Sequence, residues 1–308
     1  MTQNGKYKVG GIGIGRAGTG RVRAYDIHPL CEVVAVADSD EANLELAARR
    51  FGIPGYRDCA GMFENHRIDI AVASLPVRAN YEVVMAAARA GVRAMVTEKP
   101  LAARLSEADE MVEACRSRGI QFAAGLVSKN RINHLAAREM IEAGEIGQVR
   151  RINIYAENTQ GGCHGINLAR HFASNAEVDF VIGWTRGDAS SDYEDSHSGR
   201  EHDAGFQALG GYIRFANGIE VFSSYDRLDW RGFEVIGTRG ILYKKGTPDL
   251  KLHLCKAPEG KEEVLFADFE EVDVPDVEPP LRDEAHPYDE EGWAILTDGM
   301  VRSTTAVV

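Results

Sequence analysis

Five short apolar runs dominate the first part of the chain, and each ends in or gives way to polar residues, glycine or proline: YKVGGIGI, CEVVAVAD, IDIAVASLP, VRAMVTEKP and IQFAAGLV. They read as continuously apolar rather than alternating, which is the pattern of parallel strands buried on both faces. Between them lie helical patterns at Arg16–His28, Glu41–Phe51, Asn80–Ala90 and Glu107–Arg118. Ser106 and Asp109 resemble a capping box at the start of the last of these, and Gly119 closes it. Strand–helix–strand order of this kind specifies an α/β Rossmann domain, a doubly wound parallel sheet.

After Val127 the pattern changes. A helix over His134–Ala143 precedes GEIGQVRRINIYAEN, and a second helix is expected over Asn167–Ser174. Strands then predominate, and Ala216-Asn217-Gly218 between two alternating runs signals a hairpin. The second half is therefore expected to be an α+β domain with a large, mostly antiparallel open sheet. The expected division is 1–125 for the first domain and 126–308 for the second. An acidic, proline-bearing segment from Phe269 reads as a surface excursion with a possible edge strand. The closing helical pattern, Trp293–Val308, ends without a polar cap, so the expectation is either that the native chain extends further or that this helix packs unusually.

Acidic residues outnumber basic ones 47 to 35, for a formal charge of -12. That argues against a nucleic-acid surface, although one local pocket can oppose the overall field and hold an anion. Five cysteines, widely spaced and without a CxxC, argue against a disulfide framework or zinc site and suit a reducing cytoplasm. The N-terminus lacks the apolar core of a secretion signal. No apolar run approaches the ~20 residues of a membrane helix.

Three motifs carry chemistry. GIGIGRAG contains Gly13-x-Gly15-x-x-Gly18, placed after the first strand and opening the first helix. Gly13 permits the turn, Gly15 lets a pyrophosphate approach, and Gly18 lets helix and sheet pack closely. Arg16 and Ala17 lie at the helix start, where free backbone N–H groups face phosphates. Asp38 ends the second strand, 20 residues after Gly18. An acid there binds ribose hydroxyls and repels a 2′-phosphate. With Ser39 and Asp40 beside it, and no basic residue before Arg49, it favours NAD over NADP. Third, Glu98 and Lys99 end a central strand, where open α/β sheets bind ligands. Lys99 can donate to a substrate hydroxyl and relay its proton.

GIGIGRAG, VVAVAD, EKPLA and IEAGEIGQVRRI together resemble the glucose–fructose oxidoreductase / inositol dehydrogenase / rhizopine-catabolism (Gfo/Idh/MocA) family, in order and at matching spacing. The resemblance implies NAD(P)-dependent oxidation or reduction of sugars, cyclitols and related polyols. It also implies pairing into a homodimer or homotetramer through the second sheet. It makes Glu98 and Lys99 the cofactor and catalytic pair, and sets Ser74 and Leu75 beside the nicotinamide ribose. Asn80 stands where a histidine is common. Lys129 and Asn130, in SKNR, fall on the substrate side.

TQGGCHGINLARHF falls where the family carries Asp-x-Gly-x-His-x-x-Asp. Gly162 and His164 match, while Gln160 and Asn167 replace the two acids. Gln160 cannot titrate, so acid–base work falls on Lys99 and His164. Gln160, His164 and Asn167 are expected to touch substrate, and His171 to pack. No metal site is expected: His197 and His202, in SSDYEDSHSGREHD, read as part of a solvated loop. Two alternatives stay open. One is transient use of NAD for oxidation and elimination, cleaving a glycoside or ether. The other is a non-catalytic NAD-binding sensor.

Overall fold

The computed structural model describes residues 5–155, 162–187, 206–224, 232–245 and 251–275. These fall into two compact units that meet in sequence between Leu126 and Val127.

The first unit runs β1 (Tyr7–Ile12), α1 (Arg16–Asp26), β2 (Cys31–Ala37), α2 (Glu41–Phe51), β3 (Gly55–Tyr56), α3 (Cys59–Asn65), β4 (Ile70–Ala73), α4 (Val77–Ala90), β5 (Ala94–Thr97), α5 (Leu105–Arg116) and β6 (Gln121–Ala124). The sheet order is β3-β2-β1-β4-β5-β6, and every pairing is parallel. This is the doubly wound order whose ligand crevice lies outside the carboxyl ends of the strands, where the order reverses between β1 and β4. Both β4 and β5 are buried at every position, as their unbroken apolar runs require.

The capping box does not form. α5 starts at Leu105 behind an extended Arg104 that makes no side-chain cap, so Ser106 lies inside the first turn. Burial of Met111, Ala114 and Cys115 sets the frame of this helix in place of the local signal. The short β3 and α3 carry too few residues for periodicity to declare them.

The second unit opens with a 3₁₀ turn at Val127–Asn130. It continues with α6 (Ile132–Glu142), β7 (Val149–Tyr155), α7 (Gly162–Phe172), β8 (Val178–Gly187), β9 (Phe206–Phe215), β10 (Glu220–Ser224), β11 (Gly232–Gly237), β12 (Gly240–Lys244), β13 (His253–Lys256) and β14 (Glu270–Val272). The sheet order is β14-β13-β12-β11-β7-β10-β9-β8. Its pairings are antiparallel except β7 with β10. Ile152, Ile154, Phe233 and Val235 form its core with Leu168, Ala169 and Phe172 of α7. The β9–β10 hairpin turns at Gly218, whose φ is +83°.

α7 begins five residues earlier than the glycine-rich sequence suggests. Glycine in a helix costs roughly 0.5–1 kcal/mol. Burial of Leu168, Ala169 and Phe172 on the sheet outweighs that cost and draws His164 into the first helical turn.

Candidate active site

Four strands of the first unit deliver the candidate cofactor residues at their carboxyl ends: Gly13 after β1, Asp38 after β2, Ser74 after β4, and Glu98 with Lys99 after β5. Gly13 has φ +75°, and a Cβ there would lie 2.5 Å from the Ser74 carbonyl oxygen. A Cβ on Gly18 would be driven into the Gly13 carbonyl, so this residue must be glycine for α1 to sit against the turn. A Cβ on Gly15 would meet nothing within 4 Å. Gly15 is also the N-cap of α1 and supplies no side-chain acceptor, so the first N–H groups, at Arg16 and Ala17, have none from the cap. Open space in front of helix N–H donors suits the diphosphate of a dinucleotide.

Asp38 is half-buried, and its carboxylate organises this corner. Oδ2 accepts from the Ile14 amide at 2.6 Å and from Asn43 Nδ2 at 3.2 Å, and Oδ1 accepts from the Asp40 amide at 2.9 Å. The cap of α2 is Asp40, which accepts from Ala42 N, so Asp38 is spared that task. Ser39 is exposed, and its carbonyl accepts from Arg57 Nη1 at 2.9 Å, while the Arg57 guanidinium also pairs with Glu41. Sequence order alone had made Arg49 the first basic residue here. The turn after β3 brings Arg57 back instead.

At the end of β5, Glu98 forms an ion pair with Arg21 of α1. Arg21 is 4% exposed, and its Nη1 also donates to the Thr97 carbonyl at 3.3 Å. Asn80 is fully buried, and its Nδ2 donates to the carbonyls of Glu98, Pro100 and Leu101 at 3.3, 3.0 and 3.2 Å. Its amide N–H groups are therefore directed at the backbone around Lys99. Ser74 and Leu75 are half-buried beside the glycine turn, and Ser74 Oγ is sealed from solvent without a hydrogen-bond partner. Lys99 is half-buried, and among the described residues its ammonium has no ion-pair partner.

In the second unit, α7 packs on the 3₁₀ turn that carries Lys129 and Asn130. His164, Asn167 and His171 follow one another along α7 at helical spacing. All three are half-buried, as are Lys129 and Asn130, and Asn167 Oδ1 is sealed without a partner. Burial holds the His171 pKa below its usual value, and Arg138 and Lys129 push it the same way. Its ring tilts against Phe172, with centroids 6.2 Å apart. Gln160, His197 and His202 lie outside the described residues.

Three residues escaped the sequence reading: Arg21, Arg57 and His134. Arg21 left one signal, a charge among the inward positions Gly18, Val22 and Tyr25 of α1. His134 is fully buried on α6, with Nδ1 2.5 Å from the Ser128 carbonyl oxygen and its ring edge-on to Phe233. Among the described residues no group of three His, Cys, Asp or Glu side chains could hold a metal ion. None of the described helices is long and apolar enough to cross a membrane.

Residues 7–126 match the model of a family described as oxidoreductases with an NAD-binding Rossmann fold. The match to this family, Gfo/Idh/MocA, lies within the first unit. It is 28% identical over 130 residues to dTDP-3,4-didehydro-2,6-dideoxy-alpha-D-glucose 3-reductase of Streptomyces violaceoruber, covering 42% of this chain and 38% of that protein. It is 25% identical over 150 residues to myo-inositol 2-dehydrogenase of Thermotoga maritima, covering 48% of this chain and 44% of that one. These matches thus span less than half the length of either relative. In fold it is similar to an Agrobacterium radiobacter oxidoreductase solved with NAD+, L-tartaric acid and magnesium. That match has a TM-score of 0.74 and 17% identity, and covers 96% of this chain and 85% of the other.

Proposed function

We propose that the chain is an NAD-dependent oxidoreductase acting on a secondary alcohol of a sugar, cyclitol or related polyol. The observation that carries this reading is the end of β5, where Glu98 is paired and, among the described residues, Lys99 has no ion-pair partner, beside the glycine turn's neighbour strand. A bound nicotinamide would supply the acceptor for hydride from the substrate carbon. Lys99 hydrogen-bonds the substrate hydroxyl and takes its proton. His164 assists that transfer, and Lys129, Asn130, Gln160 and Asn167 hold neighbouring hydroxyls. Asn167 contributes an amide where the family has an acid, so it orients substrate without titrating.

Asp38 supports NAD over NADP, since a carboxylate at that place repels a 2′-phosphate. Glu41 pairs with Arg57, the nearby guanidinium that would otherwise welcome one. The relatives named above, one acting on a nucleotide sugar and one on a cyclitol, support the substrate class. Screening NADH formation across sugars and cyclitols tests the reading; NAD binding without turnover on any of them would sink it.

We also infer assembly of two or four copies through the second sheet. Phe180, Ile182 and Trp184 of β8 and Phe222 of β10 are 38–57% exposed on one side of the sheet, around Tyr212. Contiguous apolar surface of this kind marks an interaction face. Sedimentation of the wild type and of Trp184→Glu tests it, the variant shifting toward the monomer.

A further inference from the structure

We propose that Arg21 is a positioning residue for Lys99, fixing through Thr97 and Glu98 the strand end that presents the lysine to the bound dinucleotide. This rests on the reading of Lys99 given above. Arg21 lies on the buried face of α1, the helix that opens at the glycine turn. Its guanidinium takes the Thr97 carbonyl with one nitrogen and the Glu98 carboxylate with the other. Gly125, just past β6, makes room for it: a Cβ there would lie 2.6 Å from Nη2 and 2.8 Å from Nη1. One guanidinium thus joins the helix of the phosphate turn to the end of β5, in space that Gly125 leaves open.

From the other direction, Asn80 of α4 holds the carbonyls of Glu98, Pro100 and Leu101. The backbone on both sides of Lys99 is therefore anchored, and among the described residues its side chain has no ion-pair partner. A buried ion pair is a costly way to stabilise a core, because desolvation offsets much of the attraction. A planar fork that bridges a carbonyl and a carboxylate fixes geometry in a way that an apolar pair does not. Catalysis depends on such placement, since a displacement of about 1 Å in a reacting group can cost on the order of a hundredfold.

The test separates placement from stability. Arg21→Met leaves a lone buried carboxylate and should lower the melting temperature. Arg21→Met with Glu98→Gln removes that charge and should melt near the wild type, and its NAD affinity is titrated so that protection is compared at equal occupancy. The decisive readout is how far NAD protects Lys99 from an amine-acylating reagent, followed by peptide mass spectrometry. The wild type should show clear protection and the double variant should lose most of it. Arg21→Lys keeps the charge but not the fork, so it should retain only part of the protection.

Protection by NAD as strong in the double variant as in the wild type overturns the proposal. Should that variant fail to fold, Arg21→Lys decides alone, and full protection in it overturns the proposal. Absence of protection in the wild type itself is a different result. It removes Lys99 from the cofactor site, and the role of Arg21 falls with it.

Discussion

Asp38 accepts a hydrogen bond from the backbone amide of Ile14 at 2.6 Å, tying the end of β2 to the turn that follows β1. The acid assigned to the ribose is thus also part of the turn that meets the phosphates. Asp38→Asn keeps an oxygen for Ile14 and removes the charge. It should fold normally, bind NAD about tenfold more weakly, and discriminate less against NADP. Titration of both nucleotides checks this, and undiminished NAD affinity would remove Asp38 from ribose recognition.

Arg57 adds a second specificity lever. It is engaged by Glu41 and by the Ser39 carbonyl. Releasing it with Glu41→Gln in the Asp38→Asn background supplies a guanidinium for a 2′-phosphate. NADP affinity should rise by about tenfold over Asp38→Asn alone, the worth of one charge-assisted contact. Calorimetry with NADP measures this directly, and no gain would place Arg57 out of reach.

The glycines of the turn should divide by mechanism. Gly15 has φ -66° and open space around its missing Cβ. Gly15→Ala should therefore melt as the wild type does while losing most NAD affinity, because the methyl occupies the space in front of the helix N–H groups. Gly18→Ala meets the Gly13 carbonyl instead. It should lose on the order of 2–3 kcal/mol of stability by overpacking. Paired thermal melts and NAD titrations distinguish the two, and a destabilised Gly15→Ala would contradict the open-space account.

His134 makes folding pH-dependent. Burial holds its pKa down at about 3, helped by the charges of Arg131 and Lys244, against an ordinary 6.5. Protonation would place a proton on Nε2, which is sealed from solvent without a partner. Between those pH values the unfolded chain binds a proton that the folded chain does not. The stability from neutral His134 is complete above about pH 6.5 and is lost as pH falls toward 3, by up to about 1.4 kcal/mol per unit. Denaturant melts of His134→Phe should lack this share of the slope between about pH 6 and 4. Parallel slopes in the two proteins would contradict the assignment.

Much of the first unit was legible because its strands are buried on both faces and its helices are long enough to show their period. Glu41–Phe51 was read to the residue. The glycine turn and the ends of β2 and β5 were legible because their chemistry depends on residue type at fixed spacing. Arg21 with Glu98 and Arg57 with Glu41 were not, since each joins residues that only the folded sheet brings together. Asn80 shows the same limit: its position was visible, but its three carbonyl partners were not. Around His164, glycine suggested a loop, and only the packing of Phe172 and Ala169 reveals the helix.

The central claim is that Lys99 handles the proton of the substrate hydroxyl. Lys99→Met keeps the length of the side chain and removes the amine. The most direct measurement compares its NADH formation with that of the wild type, on whichever polyol the wild type oxidises, beside NAD titrations of both. The account predicts a loss in kcat of at least about a hundredfold, the low end of general acid–base catalysis, with NAD affinity little changed. Turnover at the wild-type rate would contradict it.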